Sequence, residues 1–204
     1  LNMKKILIAS NNQGKLKTAK SVFENTEFQL FTPHCLNINI DVDETGTTYK
    51  ENALLKAEAF SKLAKDYMVF ADDSGVNVDA LPGQLGIHSR RFGAGPNATD
   101  QEWLEFFLKS IKHVTDPQKR TASMQTTACL ITPTGPKFFT AKLTGFIAQE
   151  QLSPIQKGVP FSSVFVIPEI NKCIADLDFE TKSNYSHRIN AYKQMLDYIK
   201  FNHA

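Results

Sequence analysis

Apolar and polar residues follow one another along the chain in blocks that predict alternating strands and helices. Residues 6–9 (ILIA) and 68–71 (MVFA) are short apolar runs with the length and composition of buried strands. Apolar residues at helical spacing predict four amphipathic helices, whose buried faces include Leu16 and Phe23, Ala53 and Ala57, Trp103 and Phe107, and Tyr192 and Met195. Strands that alternate with helices are typical of the α/β class.

The second half of the chain contains patterns that predict antiparallel strands. Residues 121–132 and 137–147 are strand-like runs separated by a turn at 133–136 (PTGP), which predicts a long hairpin. Residues 164–167 (VFVI) are another short apolar run, and Pro168 ends it. Antiparallel strands that follow strand–helix units predict a mixed sheet with a second lobe.

Composition and charge narrow the range of functions. The 204 residues are 42% hydrophobic and 22% charged, which is ordinary for a globular protein with a substantial core. A net charge of +2 gives no reason to expect a nucleic-acid polymer or a membrane as partner. No apolar run approaches the ~20 residues of a membrane span, and the N-terminal one is too short for a signal peptide. We therefore expect a cytoplasmic protein with one domain over residues 1–204, in which Leu1 and Asn2 are a candidate leftover of the expression vector.

The cysteines point away from disulfide and zinc chemistry. Cys35, Cys129 and Cys173 are far apart and form no CxxC pair, so neither a disulfide framework nor a zinc site is expected. Each is expected to be a small buried hydrophobic residue.

Two adjacent acids, Asp72 and Asp73, follow the apolar run 68–71 and precede Ser74 and Gly75. The strand is predicted to end at these acids. Ligands of open α/β sheets bind at the carboxyl ends of strands, where two carboxylates and a hydroxyl suit a divalent cation and a phosphate. The alternative is an Asx-type turn that only closes the strand. An acidic loop at 41–46 can bring a third carboxylate to the pair, although it can equally be plain surface.

A second polar segment, at residues 10–15 (SNNQGK), lies between the first predicted strand and the first predicted helix. Free backbone N–H groups and the positive end of a helix favour an anion at such a place, and Lys15 adds a point charge. The segment is not a Walker A loop, which requires GxxxxGK[ST]. The alternative is that Asn and Gly serve only as turn and cap residues.

Two later segments add candidate cations. Thr48 and Glu51 form a capping-box pattern that opens a helix, on which Lys56 lies next to the buried face and can border a cleft. Residues 182–188 (KSNYSHR) precede the closing helix and offer three potential cations to an anion or a base edge. A solvated lysine and a polar capping loop are the respective alternatives.

Together these segments suit a nucleoside triphosphate with Mg²⁺, and their order resembles a known family. The chain is similar to the inosine/xanthosine triphosphate pyrophosphatase family, the Ham-type enzymes that remove non-canonical purine nucleotides. Four separated motifs carry the resemblance: ASNNQGK (9–15), DETGTTYKENALLKA (43–57), ADDSGVNVDALPGQLGIHSRRF (71–92) and KSNYSHR (182–188).

The resemblance implies a fold, an activity and an assembly. The fold is an elongated α/β domain with a long central mixed sheet flanked by helices and two lobes around an active-site cleft. The activity is Mg²⁺-dependent hydrolysis of ITP, dITP and XTP to the nucleoside monophosphate and pyrophosphate. The family usually forms a homodimer.

The resemblance also implies a role for particular residues. The triphosphate would be held by Ser10, Asn11, Asn12, Gln13, Gly14, Lys15 and Lys56. Glu44 and Asp73 would hold Mg²⁺ with Asp72 nearby, and Asp73 would be the general base. Ser74 and Lys182 would contact the substrate, while His187 and Arg188 would read the 6-oxo edge of the base.

One segment departs from the family pattern. Where the family carries an FGYDP motif with a stacking phenylalanine, residues 158–163 read GVPFSS, so that Val159 and Ser162 replace the aromatic ring and the aspartate. Stacking on an aromatic ring is worth ~1–3 kcal/mol per base, and Phe161 can replace it only if the loop is shifted. The alternatives are therefore the same chemistry with altered or broader nucleotide specificity, or a catalytically silent nucleotide-binding protein.

Overall fold

The computed structural model of the protein describes residues 3–93, 95 and 97–203, except for the side chains of Arg90, Arg91 and His203. Leu1 and Asn2 lie outside the described residues.

Seven strands form one mixed sheet within the described part of the chain, in the order β2-β1-β3-β4-β5-β6-β7. They are β1 (Lys4–Ile8), β2 (Phe28–Phe31), β3 (Met68–Val78), β4 (Thr121–Thr132), β5 (Gly135–Ile147), β6 (Phe165–Ile167) and β7 (Lys172–Cys173). β1 pairs in parallel with both β2 and β3, whereas β6 pairs antiparallel with β5 and β7. The prediction of an α/β fold with a mixed sheet is confirmed.

Five α-helices accompany the sheet in the same described residues. They are α1 (Gln13–Phe23), α2 (Tyr49–Ser61), α3 (Asp100–Ser110), α4 (Phe179–Tyr185) and α5 (His187–His203). The capping box predicted at Thr48 and Glu51 is present at the start of α2. Lys182 lies in α4, so the segment 182–188 is largely helical and not the polar capping loop that was the alternative interpretation. None of the described helices has the length and apolar composition needed to cross a membrane.

The chain divides into two compact units. The first contains the residues up to Asp73, Thr126–Ala141 and the residues from Arg188 onward. It has two apolar clusters: one includes Phe70 with side chains of α1 and α5, and the other includes Ala71 with side chains of α2. Because neighbouring residues of a strand point to opposite faces of a sheet, these clusters lie on the two faces of β3.

The second unit contains Ser74–Gln125 and Lys142–His187. Its core is built around Trp103 and Phe107 of α3, whose rings are stacked at 5.5 Å. Arg120, which is 2% exposed, donates hydrogen bonds of 2.6 to 3.0 Å to four backbone carbonyls, those of Ile111, Val114, Ile147 and Ala148. The assignment of residues 1–204 to one domain stays a prediction.

Strand β3 is longer than predicted. It runs from Met68 through Asp72, Asp73 and Ser74 to Val78, so the prediction that it ends at the two acids is wrong. Acids are unfavourable in strands by propensity alone, but here each carboxylate meets cations from other elements.

The cysteines differ from the prediction at one position. Cys129 and Cys173 are buried, as expected, but Cys35 is exposed, because it lies in a short 3₁₀ turn (His34–Leu36) outside both apolar clusters.

Candidate active site

The segment between β1 and α1 is shaped by its own hydrogen bonds. The Ala9 N–H donates to the Phe70 carbonyl at 2.8 Å, which ties the end of β1 to β3. The side chain of Asn12 accepts from the Lys15 N–H at 3.1 Å and caps α1, while the Asn12 N–H donates to Ser10 Oγ at 3.2 Å. Asn12 is therefore a cap residue. The positive end of α1 therefore follows directly after the carboxyl end of β1, an arrangement that favours an anion.

The other residues of this segment lie in the same turn. Asn11 and Gln13 are exposed, and Gly14 is half-buried in the first turn of α1. The Thr18 hydroxyl donates to the Gly14 carbonyl at 3.0 Å. Their contacts with phosphate stay predictions.

Asp72 faces α1 and α5. It shares a face of β3 with Phe70, and its side chain is fully buried. Lys15 Nζ lies 3.2 Å from its Oδ1 and 3.0 Å from its carbonyl oxygen, and Arg188 Nε lies 3.5 Å from its Oδ2. Tyr192, one turn after Arg188, packs its ring edge-on against Phe70 at 5.3 Å. Asp72 is thus enclosed by two cations and a buried phenol.

Asp73 faces α2 instead. Asn52 Nδ2 donates to its Oδ2 at 3.1 Å, and Lys56 Nζ lies 3.7 Å from its Oδ1. The same ammonium group is 2.7 Å from Glu44 Oε1. The acidic loop does bring a third carboxylate to the site, and Lys56 lies between Glu44 and Asp73.

The surroundings of the two aspartates move their pKa values in opposite directions. Burial alone would raise the pKa of Asp72, but Lys15 and Arg188 outweigh it and hold that pKa below its usual range. Burial raises the pKa of Asp73, and Lys56 and Lys15 offset this only in part. Asp72 is therefore the more acidic of the two carboxylates, and Asp73 is the more basic one.

The two lysines also differ. Burial lowers the pKa of Lys15, although Asp72 opposes the shift. Burial would lower the pKa of Lys56 as well, but the charges of Asp73, Asp72 and Glu44 raise it above its usual range. Lys56 therefore stays protonated between its carboxylates.

The donor set suits Mg²⁺ but not a closed metal cage. No group of three His, Cys, Asp or Glu side chains within the described residues is arranged to hold a metal ion. Mg²⁺ usually binds through only one or two carboxylates and takes further oxygens from substrate phosphates and water. Glu44 and Asp73 already face one cation, the Lys56 ammonium, and they are hard oxygen donors. These two residues fit the ion that the family resemblance implies.

A comparison with known protein families decides the assignment of the chain. The sequence model of the Ham1 family matches residues 6–198. The chain belongs to the Ham1 family. The resemblance drawn from the four motifs is confirmed.

Similar proteins of the Ham1 family cover nearly the whole chain. A Staphylococcus aureus protein named dITP/XTP pyrophosphatase is 36% identical over 201 residues, 97% of each chain. A Listeria monocytogenes protein of the same name is 37% identical over 194 residues, 95% of this chain and 93% of its own. The solved structure of a HAM1 protein from Coxiella burnetii has a TM-score of 0.82 at 30% identity, covering 98% of this chain and 100% of its own.

Three residues that the Ham1 resemblance assigns to the substrate belong to the second unit. Ser74 is half-buried in β3, Lys182 is half-buried in α4, and His187 is buried at the start of α5. Their contacts with substrate stay predictions.

The segment in which this chain departs from the Ham1 pattern is a short 3₁₀ turn, Pro160–Ser163. The ring of Phe161 packs 4.5 Å from Trp103 and 4.8 Å from Phe107, edge to face in both cases. The Ser162 hydroxyl donates to the Val159 carbonyl at 2.7 Å. Phe161 is half-buried and packs against the core of the second unit.

Sequence patterns alone did not identify Asn52 and Tyr192 as parts of the site. Asn52 lies beside the apolar face of α2, four residues before Lys56, which is the spacing that puts both side chains on one side of the helix. Tyr192 was assigned to the core, and it lies four residues after Arg188. In both cases the helical spacing from a candidate cation was the available signal.

Proposed function

We propose that this Ham1-family protein hydrolyses the non-canonical purine nucleotides dITP, ITP and XTP to the nucleoside monophosphate and pyrophosphate. The named relatives, which are 36–37% identical over nearly the whole chain, support the substrate class. The observation that carries the chemistry is the pair of buried aspartates with opposite pKa shifts beside two lysines.

The triphosphate is assigned to the turn at the start of α1. Residues 10–15 offer backbone N–H groups and the positive end of the helix, which bind phosphate oxygens without added charge. Lys15 and Lys56 supply the positive charge, since both ammonium groups are nearly buried and fixed by carboxylates. Such fixed cations stabilise the charge on the phosphoryl oxygens in the transition state.

Glu44 and Asp73 are the residues that would hold Mg²⁺. When bound, the ion would polarise a phosphoryl oxygen and neutralise developing charge. We assign Asp72 a different role from the metal ligand that the sequence suggested. It points to the other face of β3, where it holds Lys15 and Arg188.

Asp73 is the proposed general base. It would accept a proton from a water molecule whose oxygen attacks the α-phosphorus. The bond from the α-phosphorus to the oxygen that bridges it to the β-phosphorus then breaks, and pyrophosphate leaves with that oxygen.

Recognition of the base, the assembly and the cellular location rest on the family resemblance. His187 and Arg188 would read the 6-oxo edge, and Ser74 and Lys182 would contact the substrate. The proposal includes a homodimer in the cytoplasm.

The test is pyrophosphate release with Mg²⁺ from ITP, dITP, XTP, ATP, GTP, CTP and UTP. Asp73→Asn should abolish turnover and leave nucleotide binding intact, because the amide cannot accept the proton. Asp66→Asn is the matched control, since Asp66 is an exposed aspartate of the same unit. Strong preference for ITP, dITP or XTP supports the proposal, and absence of release from every nucleotide would refute it.

A broader specificity is the second candidate, and the position of Phe161 favours it. Phe161 packs edge-on against Trp103 and Phe107, and Val159 has no ring, so the one aromatic ring of residues 158–163 is engaged with the core of the second unit. Similar rates on all seven nucleotides, lost in Asp73→Asn, would establish this candidate.

A further inference from the structure

Asn52 is a buried amide that joins two segments of the first unit. Its side chain lies in the first turn of α2, and the residue is 2% exposed. Its Oδ1 accepts from the Gly46 N–H at 2.8 Å, and its Nδ2 donates to Asp73 Oδ2 at 3.1 Å. Gly46 belongs to the acidic loop that carries Glu44. One amide therefore bridges the loop and β3.

The chemistry of the partners fixes the orientation of this amide. A backbone N–H can only donate, so the atom that faces Gly46 must be the oxygen of Asn52. An ionised Asp73 can only accept, so the atom that faces it must be the nitrogen. Aspartate would lack the donor, and leucine, which has a similar shape, would lack both groups.

The loop approaches α2 so closely that only glycine fits at position 46. A Cβ atom there would lie 2.6 Å from Asn52 Oδ1 and 2.7 Å from Glu51 Cβ. Both distances are shorter than van der Waals contact. The backbone of the acidic loop is thus packed directly on the side chain of Asn52.

We propose that Asn52 is a positioning residue that fixes the carboxylate of Asp73 relative to the loop that carries Glu44. The inference rests on the proposed function, in which these two carboxylates hold Mg²⁺. Asn52 engages Oδ2 of Asp73, while Oδ1 faces Lys56 at 3.7 Å, and Lys56 contacts Glu44 at 2.7 Å. The amide sets the spacing of the two carboxylates, because it holds the strand at one end and the loop at the other.

Asn52→Leu and Asn52→Ala test the role directly. The readout is the affinity for Mn²⁺ in the presence of the α,β-methylene analogue of ITP. Electron paramagnetic resonance measures this affinity. Loss of a group that orients a metal ligand typically lowers metal affinity or activity about 10- to 100-fold, and we expect that loss in both variants. The alanine variant keeps the test open if the leucine side chain prevents folding. In turnover, kcat should fall, while KM for the nucleotide changes little, because residues 10–15 are untouched.

Glu51→Ala is the matched control. Glu51 precedes Asn52 and closes the capping box of α2, but its carboxylate bonds only to Thr47 and Thr48 among its described contacts. The control should loosen the start of the helix and leave Mn²⁺ affinity unchanged. If Glu51→Ala lowers the Mn²⁺ affinity as much as Asn52→Ala does, the effect of the Asn52 variants comes from a general loosening of the start of α2. The inference is then wrong.

A double-mutant cycle shows whether Asn52 acts through Asp73. In an Asp73→Ala background, Asn52→Ala should produce little further loss of Mn²⁺ affinity, since the group that it positions is absent. Additive losses would overturn the inference. Unchanged Mn²⁺ affinity in both single Asn52 variants would do the same.

Failure of this inference and failure of the proposed function give different results. A wild-type protein that binds Mn²⁺ with the analogue but releases no pyrophosphate refutes the function, and the Asn52 comparison still decides the positioning role. A wild-type protein that releases pyrophosphate with Asn52 variants like wild type refutes only the positioning role. Absence of Mn²⁺ binding in the wild type refutes the positioning role as stated.

Discussion

Asp72→Asn should destabilise the protein strongly, because it removes one charge and leaves two buried cations. Lys15 and Arg188 lie 3.2 and 3.5 Å from the carboxylate, and their side chains are only 13% and 11% exposed. At an effective dielectric constant of about 20, each pair is worth roughly 5 kcal/mol before desolvation is counted. Desolvation cancels much of this, and removal of one partner of a buried pair typically costs about 3–5 kcal/mol.

Thermal unfolding of Asp72→Asn measures this cost. For a chain of this size, about 1 kcal/mol lowers Tm by roughly 2–4 °C, so we expect a decrease of about 6–20 °C. Asp66→Asn is the control, and its exposed side chain should change stability by less than about 0.5 kcal/mol. A Tm for Asp72→Asn within about 2 °C of wild type would show that the buried cations do not depend on this charge.

The same variant separates two roles of Asp72 in the site. If Asp72 anchors Lys15, as its contacts indicate, Asp72→Asn should raise KM for the nucleotide without changing the Mg²⁺ concentration needed for half-maximal rate. A large increase in that Mg²⁺ concentration, with KM unchanged, would instead make Asp72 a metal ligand.

Three further predictions test the surroundings of the site. Arg120→Met should lower the free energy of unfolding by at least about 3 kcal/mol, because four carbonyls lose a charged donor; an unchanged midpoint of urea unfolding would contradict this. Phe161→Ala should lower the free energy of unfolding in the same assay, by less than the about 3–5 kcal/mol typical of a fully buried ring, and Phe161→Leu should lower it less, since the half-buried ring packs against the core; a loss of nucleotide affinity without a loss of stability would place the ring at the substrate instead. Cys35 should be the first thiol to react with a disulfide reagent at pH 8, because the hydrogen bond from Thr32 lowers its pKa, whereas burial raises the pKa of Cys129 to about 12. Reactivity should rise with pH as the thiolate fraction grows, and a fast phase that survives in Cys35→Ser would refute the assignment.

The helices of this protein could be predicted because their signals are local. The capping box at the start of α2 spans only Thr48 to Glu51, and the buried positions Ala53, Ala57 and Phe60 repeat at helical spacing within one helix. Hydrogen bonds between residues three or four apart form in the same way whatever the rest of the chain does. The start of α2 is therefore confirmed to the residue.

The length of β3 could not be predicted, because distant residues stabilise it. The pair Asp72 and Asp73 is typical of a turn when only neighbouring residues are considered. Lys15, which binds Asp72, lies 57 residues away in the sequence, and Arg188 belongs to the last helix. No local pattern indicates that these cations converge on one strand, so the tertiary contacts override the propensity.

The roles of Asn52 and Phe161 were missed for the same reason. Asn52 is an ordinary polar residue in the helix pattern, and only the fold shows that it is buried and bonded to Gly46 and Asp73. Phe161 is a single aromatic residue in an irregular segment, and its place beside Trp103 depends on the fold of the second unit.

Continuity of β3 through both acids explains how adjacent aspartates can have different chemical roles. Two carboxylates on one turn would repel each other. This repulsion would raise the pKa of one of them and favour its protonated form. In a strand they project to opposite faces. The charges that act most strongly on Asp72 are Lys15 and Arg188, whereas those on Asp73 are Lys56 and Lys15, followed by Glu44. Groups whose surroundings push their pKa values apart can divide anchoring and proton transfer between them, which is the division that we propose for Asp72 and Asp73.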